Sequence, residues 1–190
     1  LQAGSATDPD GASGSATVLS DLVLRGAGNR NSRELTDHLD MLGLQRSGTV
    51  GVHHTRFGCS ALGAKVMEGL PVYADIIQRA HLPADGFDSA RDLSLQALEG
   101  LDDEPRQKLL VKLREWYFPY PFGRNSMGTP EELEKLTVEQ ARADYAGRYT
   151  AGSAILAMAG NVDFGALQRD VEKYFGNLKP GSPIPLQSKP

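Results

Sequence analysis

The chain has 190 residues, of which 40% are hydrophobic and 23% charged, and its formal net charge is −4. This composition is typical of a soluble globular protein with a sizeable core, and it lacks the excess of basic residues expected of a nucleic-acid-binding domain. No apolar run reaches the roughly 18 residues of a membrane-spanning helix, and the single cysteine, Cys59, excludes an intrachain disulfide.

The first predicted elements are a loop and two helices. Residues 4–14 are rich in glycine, serine and aspartate, which is typical of a loop. A helix over 15–24 follows, because its apolar residues recur at helical spacing. A second helix is predicted over 33–42, with Ser32 as its N-cap and Gly43 ending it.

The middle of the chain predicts a strand pair and then more helices. Segment 45–62 contains several glycines between short polar and apolar stretches, which indicates a β-hairpin. Segment 64–79 predicts a helix kinked at Pro71. Two further helices are predicted over 89–100 and 105–116.

An aromatic cluster with two prolines follows the last of these helices. We interpret it as a core and loop anchor, because neighbouring leucines are also apolar; the alternative is the lining of a peptide-binding chamber. The cluster consists of Trp116, Tyr117, Phe118, Tyr120 and Phe122.

The last third predicts two helices around a strand. Thr137 and Gln140 form a capping box that begins one helix. Segment 154–159 is predicted as a buried strand, and 164–175 as the closing helix.

The segment that begins at Gly14 resembles the zinc-binding helix of peptidase family M16, which includes insulinase, pitrilysin and mitochondrial processing peptidase. In that family Gly-x-Ala leads into His-x-x-Glu-His, and a basic residue and glycine follow. Here Gly14-Ser15-Ala16 leads into Thr17-Val18-Leu19-Ser20-Asp21, and Arg25-Gly26 follow. The two histidine positions therefore hold Thr17 and Asp21, and the catalytic glutamate position holds Ser20.

A second helix of the family carries the third zinc ligand, a glutamate in an Arg-Asp-apolar-x-apolar-x-Glu pattern. Here the pattern begins at Arg91-Asp92, and its glutamate position holds Ala97, 76 residues after Asp21. The closing unit Gly160-Asn161-Val162-Asp163 also matches the family, so the resemblance covers about residues 3–180.

The resemblance implies an α+β fold of the M16 metallopeptidase type (LuxS/MPP-like), with helices on one face of a mainly antiparallel sheet. Residues 1–178 would form one domain, the N-terminal half of a two-domain protein lacking its first strand or strands. Residues 179–190 would begin a proline-rich linker. The helices 15–24 and 89–100 would pack together and place Asp21 near Ala97.

The substitutions argue against catalysis by this chain. Zinc sites use histidine, cysteine and carboxylate ligands, whereas threonine is a poor ligand, alanine is none, and an isolated serine is no general base near neutral pH. We therefore expect no catalytic, cofactor-binding or metal-binding residue here, and zinc only in a partner subunit. The implied partners are a zinc-bearing M16 homologue, the chain's own C-terminal domain and an unfolded peptide substrate.

Two alternatives remain. One is a structural scaffolding subunit similar to the core proteins of the respiratory bc1 complex. The other is a zinc-dependent peptidase with an unconventional site at Asp21. The first residues carry no targeting pattern, so the sequence does not indicate a compartment.

Overall fold

The structure is a computed structural model that describes residues 1–186. Helices predominate, and every strand pairing is antiparallel, so the expected α+β class is confirmed. The helices are α1 (Ser15–Leu22), α2 (Ser32–Met41), α3 (Gly63–Gln78), α4 (Ala84–Gly100), α5 (Pro105–Tyr117), α6 (Pro130–Lys135), α7 (Val138–Arg148) and α8 (Phe164–Phe175). The strands are β1 (Gly26–Ala27), β2 (Arg30–Asn31), β3 (Gln45–Val50) and β4 (Thr55–Ser60).

The strands form two separate pairs. β1 pairs with β2, and β3 pairs with β4 in the register that joins Val50 to Thr55 and Gln45 to Ser60. The predicted hairpin over 45–62 is therefore confirmed. Within the described residues each sheet has only two strands, so the expected mainly antiparallel sheet is present as small pieces.

α1 lies at the centre of the hydrophobic core. Four apolar residues of α1 and the residue that follows the helix recur at helical spacing. Their side chains are fully or almost fully buried, which places the helix inside the core. Each large apolar side chain buried in this way stabilises the fold by about 1.5–3 kcal/mol. These residues are Ala16, Val18, Leu19, Leu22 and Val23. α2 contributes Leu35 and Leu39 to the same core, and α3 contributes Val72 and Ile76.

The residues at which α2, α4 and α7 begin are explained by burial and by N-terminal capping. α4 begins at Ala84 rather than at residue 89, because Phe87 and Ala90 are buried and the preceding Pro83 occupies the N-cap position. α2 begins at Ser32 with Asn31 as its cap, in a capping box with Glu34. The predicted capping box of Thr137 and Gln140 at the start of α7 is confirmed.

The predicted buried strand over 154–159 is wrong. These residues form no strand, and Ile155 is 79% exposed. A β-strand needs a hydrogen-bonded neighbour, and no other described strand lies beside this segment.

The end of the described chain returns to the domain. The Lys179 carbonyl accepts a hydrogen bond from the Ala151 amide at 2.9 Å. The remainder of the predicted linker, 187–190, lies outside the described residues. None of the helices between residues 1 and 186 combines the length and apolar character that crossing a bilayer requires.

Candidate functional site

A buried aspartate anchors the N-terminal end of α1. The Asp8 carboxylate accepts hydrogen bonds from the Gly14 amide at 2.8 Å and from the Ala16 amide at 2.9 Å. Gly14 has φ of +92°, a left-handed conformation that favours glycine. The first turn of α1 is thus held by an anion at the positive end of the helix dipole.

Arg148 of α7 connects this anchor to the rest of the fold. Its guanidinium contacts Asp8 at 3.2 Å and donates to the Thr7 hydroxyl at 3.1 Å, and it also forms an ion pair with Asp144. Ser15 of α1 donates its hydroxyl proton to Asp144. All the side chains of this buried ion cluster, defined as Asp8, Asp144 and Arg148, are at most 6% exposed.

Burial dominates the electrostatics of Asp8 in this cluster. Burial, the largest effect, raises the pKa of Asp8 to about 6, whereas Arg148 and the Gly14 and Ala16 amides act in the opposite direction. This cluster was not predicted from the sequence. The Asp144–Arg148 spacing on a predicted helix was a usable signal, but Asp8 lies too far away in sequence to be linked to it.

The three substituted positions on α1 are engaged within the domain. Thr17 donates its hydroxyl proton to the Ser126 carbonyl, and Ser20 donates to the Thr17 carbonyl at 2.8 Å. The Asp21 carboxylate accepts from Arg25 Nε at 2.6 Å, in a half-exposed ion pair along the helix. These interactions leave no cluster of ligand atoms on this face of α1.

The predicted contact between the two helices is confirmed, because α1 and α4 pack against each other. The approach is close at Gly86, where an added Cβ would lie 3.0 Å from Arg25 and 3.5 Å from Leu22. Ala97 is exposed and lies about 16 Å farther along α4, at 1.5 Å per residue. The juxtaposition of Asp21 with Ala97 stays a prediction.

The residues at these four positions do not fit a zinc ion. Thr17 offers a neutral hydroxyl that already donates to a carbonyl, and Asp21 offers a carboxylate that is paired with an arginine. Ala97 offers only a methyl group, so the three ligand positions do not make a zinc ligand set. Among residues 1–186, no group of three or more histidine, cysteine, aspartate or glutamate side chains has a metal-binding arrangement.

The aromatic cluster at the C-terminal end of α5 and in the loop after it is largely on the surface, which contradicts the interpretation as a core anchor. Trp116 is 84% exposed and Tyr117 is 71% exposed. No residue of α5 is buried, because its apolar stripe faces away from the domain. We call this stripe the α5 face; its members are Leu109, Leu110, Leu113, Trp116 and Tyr117.

Comparison with known proteins places these features in context. The family model described as "Insulinase (Peptidase family M16)" matches residues 1–129. An uncharacterized zinc protease of Mycobacterium tuberculosis is 26% identical over 165 residues, which cover 86% of this chain and 38% of that protein. The mitochondrial-processing peptidase subunit beta of Saccharomyces cerevisiae is 24% identical, with 99% of this chain and 41% of that protein covered.

A solved structure gives the same fold. The peptidase M16 inactive domain from Pseudomonas fluorescens superposes with a TM-score of 0.86 at 18% identity, and the match covers 100% of this chain and 46% of that chain. The chain spans well under half the length of both sequence relatives.

Proposed function

The chain belongs to the insulinase family, peptidase family M16, and we propose that it is a catalytically inactive domain that pairs with a zinc-bearing M16 homologue. Together the two would enclose a chamber that degrades or processes peptides. The observation that carries this proposal is the occupation of all four metal and catalytic positions by Thr17, Ser20, Asp21 and Ala97.

The chemistry of these positions supports the absence of catalysis by this chain. An M16-type reaction needs a zinc-bound water and a carboxylate to take its proton. Ser20 offers a hydroxyl that already donates to the Thr17 carbonyl, so it has no base of its own. Arg25 pairs with Asp21 and would oppose a cation at that carboxylate.

The α5 face supports the pairing. Exposed contiguous apolar patches on a domain often mark interfaces with other proteins, and tryptophan and tyrosine are enriched there. Leu110 is 53% exposed and Trp116 84% exposed, on a helix with no buried residue. An unsupported apolar helix face of this kind is costly in water, and a partner domain would cover it.

The test is co-purification of this chain with a zinc-bearing M16 homologue from the same cell, followed by a peptidase assay on the complex. We expect the partner alone, or the complex, to hold zinc, and peptide cleavage to require the partner's zinc helix. Trp116→Ser should weaken the complex by at least about tenfold, the loss of an aromatic interface anchor. Met41→Ser is the matched control, because Met41 is 77% exposed on α2, outside the α5 face.

Different results would support other functions. Recovery of this chain only in a membrane-bound assembly without peptidase activity would favour a scaffolding subunit. Stoichiometric zinc and cleavage by this chain alone would favour an unconventional site at Asp21. Either result would refute the proposal.

A further inference from the structure

The α5 face belongs to a helix that lies apart from the hydrophobic core. Among the elements of secondary structure, α5 has its main contact with the preceding turn, Leu101–Asp103. Within α5 only Val111 is half-buried, and every other residue is exposed. At about 100° per residue, Val111 lies roughly 160° around the helix from the centre of the α5 face. The α5 face is therefore directed away from the domain.

The apolar residues of α5 have the spacing of a helix that binds in a groove. Leu109, Leu113 and Trp116 are the positions i, i+4 and i+7, which fall within about 60° of the helix circumference. Leu110 and Tyr117 widen this sector to about 120°. Helices that lie in apolar grooves of other proteins use anchors at this spacing. Trp116, the largest of these side chains, is also the most exposed.

Basic side chains border the α5 face on both sides. Lys112 lies about 40° beyond Trp116 on one side, and Arg114 lies about 40° beyond Leu110 on the other. Arg106 stands at the N-terminal end of the same face. Because interfaces pair potentials of opposite sign, a positive border favours an apolar surface whose own border is negative.

The basic residues of α5 differ in how far their charges are used within the described domain. Lys108 and Lys112 each contact a carboxylate at 2.7 Å, whereas Arg106 and Arg114 have no ion-pair partner among residues 1–186. α5 carries four basic residues and one acidic residue, a net charge of +3, so the remainder of the chain, whose total is −4, sums to −7. The helix is therefore a positive site on an acidic domain, and it attracts a surface of opposite charge.

Building on the proposed pairing, we propose that α5 docks into the zinc-bearing M16 homologue, in an apolar groove of that homologue flanked by carboxylates. The α5 face fills the groove, with Trp116 as its main anchor. Arg106 and Arg114 face carboxylates at the rim, which speed the encounter and disfavour surfaces of the wrong charge. Two copies of this chain would bring their basic helices together, so like charges oppose self-association through this face.

The experiment measures the association and dissociation rates of this chain with the zinc-bearing M16 homologue that co-purifies with it. The test variant carries Arg106→Glu and Arg114→Glu, which reverse two rim charges and break no ion pair of the described domain. The matched control carries Arg33→Glu and Arg169→Glu, which change the net charge equally at exposed positions on α2 and α8. Rates are measured at about 0.1 M and about 1 M salt, where charges are screened over about 10 Å and about 3 Å.

We expect the test variant to associate at least about tenfold more slowly than the control at about 0.1 M salt, and at nearly the same rate at about 1 M salt. The dissociation rate should change less, because rim charges act mainly on the encounter. Trp116→Ser should show the opposite division, with faster dissociation and little change in association, because a buried anchor is lost.

Equal association rates of the test and control variants at about 0.1 M salt, in a complex that still forms, would overturn the carboxylate-flanked groove and leave the proposed pairing intact. Absence of any complex would refute both. A dimer of this chain alone that Trp116→Ser dissociates would assign the α5 face to a second copy and overturn the proposal.

Vesicles of phosphatidylglycerol and phosphatidylcholine test a lipid surface as the occupant. Trp116 is the only tryptophan, so its emission moves to shorter wavelength if α5 enters the bilayer interface. We expect no such shift. A shift with the wild type that is lost in the test variant would assign the α5 face to an anionic lipid surface, and the proposed occupant would be wrong.

Discussion

Replacing Arg148 with methionine tests the buried ion cluster that holds α1 in place. The Arg148 side chain is 1% exposed and lies between the carboxylates of Asp8 and Asp144. Methionine keeps an unbranched apolar chain but removes the charge. Removing one partner of a buried ion pair costs about 3–5 kcal/mol, because the remaining charge is buried without compensation. We therefore expect Arg148→Met to lower the free energy of unfolding by about 4 kcal/mol at neutral pH, a large share of the 5–15 kcal/mol typical of a domain.

The pH dependence of this loss follows from Asp8. Its pKa is about 6 in the folded protein and 3.8 in the reference state. A raised folded pKa contributes stability that is fully present below the unfolded pKa and is lost as pH rises through the folded pKa. For the wild type this loss is about 3 kcal/mol, from a difference of about 2.2 pH units at 1.36 kcal/mol each. Arg148 opposes the upward shift, so its removal raises the Asp8 pKa further and increases the loss.

The assay is urea unfolding of the wild type and Arg148→Met at about pH 4.5 and pH 7.5. The difference between the two proteins should be smaller at the lower pH, where Asp8 is protonated, and should widen at the higher one, while the loss of the Arg148–Asp144 pair contributes at both. Arg33→Met is the control, because the Arg33 side chain is 91% exposed in a 3.7 Å pair and its loss should cost under about 1 kcal/mol. A difference for Arg148→Met of under about 1 kcal/mol at pH 7.5, or one that does not change with pH, would refute this reasoning.

Three further predictions concern the metal positions and one tight backbone contact. The wild-type chain, dialysed against trace zinc, should retain none by elemental analysis; near-stoichiometric zinc would contradict this. A fourfold variant should bind zinc in a titration but cleave little peptide, because activity also depends on surrounding groups that orient the ligands, which these four substitutions do not supply. A folded variant that binds no zinc would indicate that the local geometry has diverged. Gly128→Ala should lower the free energy of unfolding by about 1–3 kcal/mol, because Gly128 has φ of +84° and an added Cβ would lie 2.2 Å from the Ser13 carbonyl oxygen. Gly48→Ala, where nothing lies within 4 Å, is the control in the same denaturation assay, and equal losses would disprove the strain argument. The fourfold variant carries Thr17→His, Ser20→Glu, Asp21→His and Ala97→Glu.

The sequence alone determined the family and most of the helices. Local signals were sufficient for α7, where Thr137 and Gln140 form the predicted capping box, and for α3 with its internal Pro71. Propensity, capping and apolar spacing act within a few residues, so they can be recognised without knowledge of the fold. The substituted positions Thr17, Ser20, Asp21 and Ala97 were identified differently, from the resemblance to the two zinc-binding helices of the M16 family.

Only the tertiary structure decided which apolar residues are buried and which charges meet. Trp116 and Ile155 have core-like sequences around them, yet both are exposed, because burial depends on whether another element packs there. The pairing of Asp8 with Arg148 joins residues 140 positions apart, and no local signal encodes such a contact. Segment 154–159 shows the same limit for strands: its composition favours a strand, but a strand exists only where a neighbour supplies the hydrogen bonds.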